Sequence, residues 1–407
     1  MGPGPFRPSD LAVHAARPLL ARQQFEPPEL DEVIVGCIMP GPEEANIARV
    51  VSLRLGCGDQ VPAWTVQRNC ASGMQAIDSA AGAIVSGRAD LILAGGTESM
   101  SHAPVLFSRE TTALLAQWAA ARNLRQRLGV IASLRPMHLK PVIALLLGLT
   151  DPVVGLSMGQ TAEVISRRYG IDRLAMDTYA VRSHHRLAEA QAAGRLDEIV
   201  PLIDTNGQVY DHDDGVRPDS SVQKLARLKP FFDREFGNVT AANSSQITDG
   251  AAWVLLASEQ AVNDHKLPVL GKLVDTQWAG LDPAQMGFGP VHAATPLLKR
   301  RRLNFDMIDY WEINEAFAGQ VLACIRAFDD VDYCRKELGL RNAMGRIDEG
   351  QLNVDGGAIA LGHPVGSSGA RIVLHLLKVL EQRQARRGVA AICIGGGQGG
   401  AMLVERT

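Results

Sequence analysis

The sequence predicts an α/β protein made of two similar halves, with a long segment inserted into the first. An internal repeat, short apolar runs alternating with amphipathic helices, and one connection of unequal length predict it. Val13-His14-Ala15-Ala16-Arg17-Pro18-Leu19-Leu20 returns as Val291-His292-Ala293-Ala294-Thr295-Pro296-Leu297-Leu298, seven matches in eight at an offset of 278 residues. The same offset brings Leu30-Asp31 onto Ile308-Asp309. Self-similarity at a fixed offset marks a duplicated structural unit.

Each copy reads as a helix, a short loop and a buried strand, at Glu32–Ile38 in the first half and Tyr310–Ile313 in the second. Ser72–Val85 has apolar residues at helical spacing and is followed by a short apolar run, Leu91–Ala94, then Gly95-Gly96. In the second half Ser367–Leu380 reads as a helix and Val389–Ile394 as a strand, then Gly395-Gly396-Gly397. Ala251–Ala257 and Ala401–Val404 read as the closing strands. Continuous apolar strands alternating with helices predict mixed sheets covered on both faces. The second half reaches its last strand within a few residues of its glycines, whereas the first runs from Thr97 to about Thr240. That excursion is too long for a plain loop and contains helical stretches at Gln160–Tyr169 and Leu174–Ala193. The division is therefore 1–100 with 241–262, an inserted domain at 101–240, and a second half at 263–407. Val269–Val274 reads as a strand ahead of the second repeat, and its first-half counterpart falls before Met1. The first strand of the first half is thus expected to be missing.

Of 407 residues, 46% are hydrophobic and 21% charged, with a net charge of −3. This is the composition of a globular protein and provides no basic excess for nucleic acid. The six cysteines lack paired CxxC spacing, so neither a disulfide framework nor a metal site is predicted. Met1-Gly-Pro-Gly-Pro lacks the pattern of a secretory leader, and the apolar runs are short for a membrane span. The expected compartment is the cytoplasm.

Three segments carry chemistry. Asn69-Cys70-Ala71-Ser72-Gly73 places a thiol between a strand (Ala63–Val66) and a helix start, where the helix dipole favours the thiolate. The competing reading is a buried structural cysteine. Asn353–Gly369 sets His363 among glycines ahead of a helix, and without a lysine to meet phosphate it suits a general base better than a phosphate loop. Cys393 stands at a strand end before Gly395-Gly396-Gly397, whose backbone N–H groups can hold an oxyanion. Asn314-Glu315-Ala316-Phe317-Ala318 follows a strand, and its polar pair serves either chemistry or a helix cap. Asp211–Asp214 and Lys299–Arg302 read as solvated surface features, and His184-His185 lies in a helical, polar stretch without a clear ligand partner.

Taken in order, NCASGMQA, NEAFA, GGAIALGHPVGSSG and CIGGGQGGA resemble the thiolase family over nearly the whole chain. Ser157–Glu163 and Asn238–Gly250 resemble further blocks of that family. The resemblance implies duplicated βαβαβαββ halves in a five-layered α-β-α-β-α arrangement with a loop domain. It implies thiolytic cleavage of a 3-oxoacyl-CoA through an acyl-Cys70 intermediate. His363 activates Cys70 and, with a water on Asn314, stabilises an enolate; Cys393 moves the second proton. The N–H groups of Cys70 and Gly395 form an oxyanion hole. Arg217 and Ser245 fall at coenzyme A contacts, and Met158, Phe232 and Phe317 near the acyl and pantetheine path.

Coenzyme A is then a substrate, and no cofactor is tightly bound. The implied partners are acyl-CoA, CoA and further copies of the chain, as homodimer or homotetramer. The long basic-apolar stretch Phe107–Leu156 resembles the thiolase subunit of trifunctional fatty-acid-oxidising complexes, which implies a hydratase/dehydrogenase partner and peripheral membrane contact. Within it, Arg122–Leu149 is expected to form a helical, partly exposed lid. Two alternatives stay open at this point: a biosynthetic acetoacetyl-CoA thiolase, and a non-catalytic acyl-CoA-binding subunit.

Overall fold

The structure is a computed structural model and describes residues 3–407. The first half opens with helix α1 (Pro8–Ala21), strand β1 (Glu32–Gly36), helix α2 (Ile47–Arg54), strand β2 (Ala63–Val66), helix α3 (Ser72–Val85) and strand β3 (Leu91–Ser99). An excursion follows, with helices α4 (Arg109–Ala120), α5 (Leu124–Ala132), α6 (Met158–Arg168) and α7 (Arg173–Ala192), before strand β4 (Asp249–Ala257). The second half contains strand β5 (Lys272–Gly280), helix α8 (Gly289–Arg301), strand β6 (Tyr310–Ile313), helices α9 (Ala318–Asp329) and α10 (Val365–Gln382), and strands β7 (Arg387–Ile394) and β8 (Gln398–Glu405).

The repeat has a structural meaning. In α1 the residues Val13, Ala16 and Leu20 are buried, and at the same offset Val291, Ala294 and Leu298 are buried in α8. Each helix also carries an internal proline, Pro18 and Pro296, at matching positions. The sheets correspond as well, with orders β2-β1-β3-β4 and β6-β7-β8-β5. In both, two parallel strands meet an antiparallel one, at β3–β4 and β7–β8. The counterpart of β2 in the second sheet is a single parallel bridge between Trp311 and Leu352.

Five layers result. Between the sheets lie α3 and α10, where Met74, Ile77, Ile372 and Leu376 join one core with Ile34 and Ile92 of the first sheet and Ile392 and Met402 of the second. The outer face of the first sheet packs against α1 and α2, and that of the second against α8 and α9. Alternating residues along β3 face different cores, Leu93 outward and Ala94 inward, as the period of a strand requires.

Three expectations need correction. The strand read at Leu91–Ala94 runs on through Gly95 and Gly96 to Ser99. It does so because a glycine there admits close neighbours: a Cβ on Gly96 would lie 2.1 Å from the carbonyl oxygen of Gly366. The strand expected at Val269–Val274 starts later, at Lys272. It is an edge strand, bonded to β8 alone, so a first-half counterpart belongs at a sheet edge and not at its centre. Its 278-offset counterpart falls ahead of and onto Met1-Gly2, outside the described residues. Among the described residues β4 pairs only with β3, so its outer edge lacks the strand that β5 supplies to the other sheet.

The Gly96–Gly366 contact joins the halves backbone to backbone, and a side chain there must displace a packed carbonyl. Gly96→Ala is expected to lower the unfolding free energy by at least about 2 kcal/mol, read as a lower denaturant midpoint at unchanged slope.

Candidate active site

Cys70 follows a tight turn. Asn69 takes left-handed backbone angles (φ 43°), and Ser72 Oγ bonds both Arg68 N (2.9 Å) and Asn69 O (2.7 Å), which fixes the entry into α3. A left-handed asparagine is the cheapest non-glycine choice for such a reversal. The turn aims the thiol at the loop between β7 and β8. There the backbone N–H of Gly395 donates to Cys70 Sγ, while Asn69 Nδ2 donates to Gly395 O at 2.8 Å. Gly396 and Gly397 have φ of 92° and 77°, the left-handed conformations that let this loop fold back. Cys393, at the end of β7, is buried and close enough to Cys70 for the Cys70 thiolate to disfavour its own.

His363 arrives from the second half on the loop before α10. Gly362, with φ 102°, turns the chain, and His363 N bonds Gln246 O at 3.0 Å. Ser368 Oγ donates to Pro364 O (3.1 Å) and lies 2.7 Å from His363 Nδ1, so Nδ1–H donates to Ser368. Nε2 is then the acceptor and faces Asn314 Nδ2 at 3.4 Å. Asn314, fully buried, follows β6, and among the described residues its Oδ1 has no hydrogen-bond partner. The starts of α3 and α10 are packed together, since a Cβ on Gly73 would lie 3.0 Å from Gly366 O and Ala370 N. Thus Cys70, Gly395 and Cys393 form one group, Asn314 and His363 another, and the glycine contact brings the helix carrying one against the helix following the other.

The charge states differ from the sequence expectation. Burial pushes the Cys70 thiol above its ordinary range, against the pull of the Gly395 and Cys70 N–H groups, and the nearby Glu98 carboxylate adds to the rise. The helix start therefore does not by itself ionise Cys70. Burial, reinforced by Arg371, lowers His363 to about 4, so at neutral pH it is an uncharged base. Burial and the neighbouring Cys70 and Cys324 raise Cys393 well above the usual thiol range, so it holds its proton. The resting site is a neutral thiol, a neutral imidazole and a protonated second thiol.

The binding residues divide. Met158 reaches the β7–β8 loop, where a Cβ on Gly395 would lie 3.2 Å from its Sδ. Phe232 and Phe317 pack edge to face at 6.0 Å and belong to the same cluster as Met158 and Cys393. Ser245 bonds Ala316 O through its N–H (2.9 Å), beside Gln246, which meets His363. Arg217 is exposed and bonds His184 through its backbone N–H, at 3.2 Å from Nδ1. Its loop reaches Gln246 at Gly215, whose carbonyl accepts from Gln246 Nε2 at 2.9 Å. Sequence reasoning missed Asn69, Gln246 and Ser368. Ser368 alone had a local signal, a hydroxyl one helical turn beyond His363.

The sequence models for the thiolase N-terminal and C-terminal domains match residues 5–260 and 267–406. The chain belongs to the thiolase family. Over 399 residues it is 36% identical to the 3-ketoacyl-CoA thiolase of Yersinia pestis (strain Pestoides F), covering 97% of this chain and 91% of that one. The thiolase fold is shared with the crystal structure of human mitochondrial 3-ketoacyl-CoA thiolase in complex with CoA, at TM-score 0.85 and 36% identity, covering 99% of this chain and 93% of that chain. The Bacillus anthracis acetyl-CoA acetyltransferase superposes with TM-score 0.84 at 35% identity, covering 98% of this chain and 93% of that chain.

In this thiolase, His363 lowered to about 4 links stability to pH. Between roughly pH 6.5 and 4 the unfolded chain binds a proton at this position that the folded chain refuses. Its contribution is complete above that window and lost as pH falls through it. His184, also lowered to about 4 by burial first and Arg217 second, acts in the same sense. Burial opposes protonation of His375, but its hydrogen bond to Glu198 and the charge of Glu312 raise it, with the opposite sign. His363→Asn is expected to flatten the fall in unfolding free energy between pH 6.5 and 4 by an amount on the order of 3 kcal/mol, measured by denaturant titration at each pH.

Proposed function

We propose that this chain is a degradative 3-oxoacyl-CoA thiolase that releases acetyl-CoA and a shortened acyl-CoA in fatty-acid β-oxidation. The observation that supports the reading is a thiol held by two backbone N–H groups beside a second, protonated thiol, with a neutral histidine on a buried asparagine ahead of the helix packed against it. His363 Nε2 takes the proton of Cys70 as Sγ attacks the keto carbon. The bond between that carbon and the α carbon breaks, and its electron pair leaves as the acetyl-CoA enolate. His363 and a water on Asn314 hold the enolate oxygen, and Cys393 donates its proton to the α carbon. The Cys70 and Gly395 N–H groups hold the thioester oxygen of the acyl-enzyme. Coenzyme A then gives its thiol proton to the Cys393 thiolate and attacks the acyl carbon, and Cys70 leaves and is reprotonated by His363. Two chemical half-reactions on one covalent intermediate give ping-pong kinetics.

In this reading coenzyme A is substrate, residues 101–240 are the substrate-facing loop domain, and the chain acts as a cytoplasmic homo-oligomer. Arg217 and Ser245 contact CoA, and Met158, Phe232 and Phe317 line its acyl and pantetheine path. No helix among the described residues is long and apolar enough to cross a membrane. The lid is less helical than expected: α5 is followed by a 3-10 turn (Pro136–Leu139), a two-residue strand (Val142–Ile143) paired with Val105–Leu106, and a short helix (Ala144–Gly148). With 105–118 it forms an open apolar groove of about 570 Å³ lined by Leu106, Trp118, Ile131 and Leu134, with none of Cys70, His363, Asn314 or Cys393 among its walls. From 105 to 149 it carries six arginine or lysine residues and one acidic residue, and Phe107, Leu124 and Leu139 are exposed. This supports long-chain substrates, contact with a membrane surface and a hydratase/dehydrogenase partner. The 35% likeness to an acetyl-CoA acetyltransferase leaves biosynthetic condensation as the second reading.

Cys70→Ala is expected to abolish the acyl-enzyme adduct formed with acetyl-CoA, read by intact-protein mass spectrometry, at unchanged fold. Cys393→Ser is expected to keep the adduct on Cys70 while turnover falls at least about a hundredfold, the scale for a lost acid–base group. An adduct carried by Cys393 instead overturns both roles.

Replacing residues 122–149 by a short polar linker is expected to lower thiolysis of a long-chain 3-oxoacyl-CoA several times more than that of acetoacetyl-CoA. Equal losses on the two substrates remove the chain-length claim.

A further inference from the structure

Glu315 is almost fully buried, one residue beyond Asn314. Its carboxylate accepts four hydrogen bonds. Oε1 takes Tyr179 Oη at 2.9 Å and Asn353 Nδ2 at 3.1 Å; Oε2 takes Ser183 Oγ at 2.6 Å and the backbone N–H of Ile359 at 3.2 Å. These donors come from α7 and from the segment 353–359 that leads to His363. The loop is moulded on the carboxylate, since a Cβ on Gly357 would lie 2.5 Å from Glu315 Cδ. Helix α7 holds the same loop along one face: Tyr179, Ser183 and Arg186 follow helical spacing, and Arg186 donates to the carbonyl oxygens of Leu352 (2.6 Å) and Glu349 (2.8 Å).

We propose that Glu315 is a positioning residue, the joint that sets the approach of His363 to Cys70 through the loop 353–362 and holds Asn314 in register with it. The inference rests on the catalytic reading above. Glu315 touches none of the reacting groups. Its neighbours are donors, and an acceptor with four lone-pair sites satisfies them all. A glutamine of the same shape cannot. Turned one way, its amide faces the N–H of Ile359. Turned the other, it faces Asn353 Nδ2, which is locked because Asn353 Oδ1 accepts from Ile313 N and Nδ2 donates to Ile313 O, both at 2.9 Å. Two donors in opposition push the loop outward, and His363 moves with it.

The test is the pH dependence of Cys70 alkylation by iodoacetamide, followed by peptide mass spectrometry, together with kcat and KM for acetoacetyl-CoA thiolysis. In Glu315→Gln, kcat is expected to fall at least about tenfold with KM within about threefold of wild type, as for lost transition-state alignment. The alkylation profile is expected to move to higher pH by about one unit, because a displaced His363 no longer takes the thiol proton. Val13→Ala, a core truncation in α1 on the far side of the first sheet, is the stability control and is expected to leave the profile in place. If Glu315→Gln does not fold, Tyr179→Phe removes one donor to the same carboxylate and is read the same way, with a smaller shift. A profile and kcat equal to wild type in the folded variant overturn the inference, as does an equal shift in Val13→Ala. Preferential alkylation of another cysteine in the wild type instead overturns the catalytic reading itself.

Discussion

The crossing of Gly96 against Gly366 is the contact on which the rest depends. No side chain separates the halves there, and Gly73 and Gly369 extend the bare surface to the first turns of α3 and α10. Cys70 in one half and His363 in the other approach only as closely as the backbones beneath them. Replacing hydrogens by methyl groups at this seam forces those backbones apart, and close-packed interiors transmit such displacements. These glycines are therefore the means by which the two halves bring the starts of α3 and α10 together.

Burial at that seam sets the chemistry of rest. A thiol and an imidazole out of water both favour their uncharged forms, and Cys70 and His363 are each shifted in that sense. Proton transfer between them then creates two charges where there were none. In the proposed mechanism that is favourable only when substrate and the N–H groups of Cys70 and Gly395 are in place to receive them.

The halves have diverged where function differs. The second sheet closes one edge with β5, while the first presents β4 with neighbours on one side among the described residues. The second half keeps a short turn between β7 and β8, and it carries Cys393 and Gly395. The matching connection in the first half is the long segment that supplies α7 to grip the His363 loop and Met158 to reach the β7–β8 turn.

The repeat, the strand-helix alternation and the four motif blocks were legible in the sequence because each is a local pattern: Ser72–Val85 and Tyr310–Ile313 have the bounds that periodicity assigns them. Cys70, His363, Asn314 and Cys393 stood out because glycine and asparagine crowd around reactive side chains at element ends. What tertiary structure decided is whatever depends on residues far apart in the chain. The position of β5 at a sheet edge follows from pairing with β8, which no local pattern encodes. The upward shift of Cys70 follows from burial among residues distant in the chain, and this outweighs both the helix start beside it and the pull of the Gly395 N–H. The setting of Glu315 follows from donors at 179, 183, 353 and 359, which meet only when the inserted segment folds back on the second half.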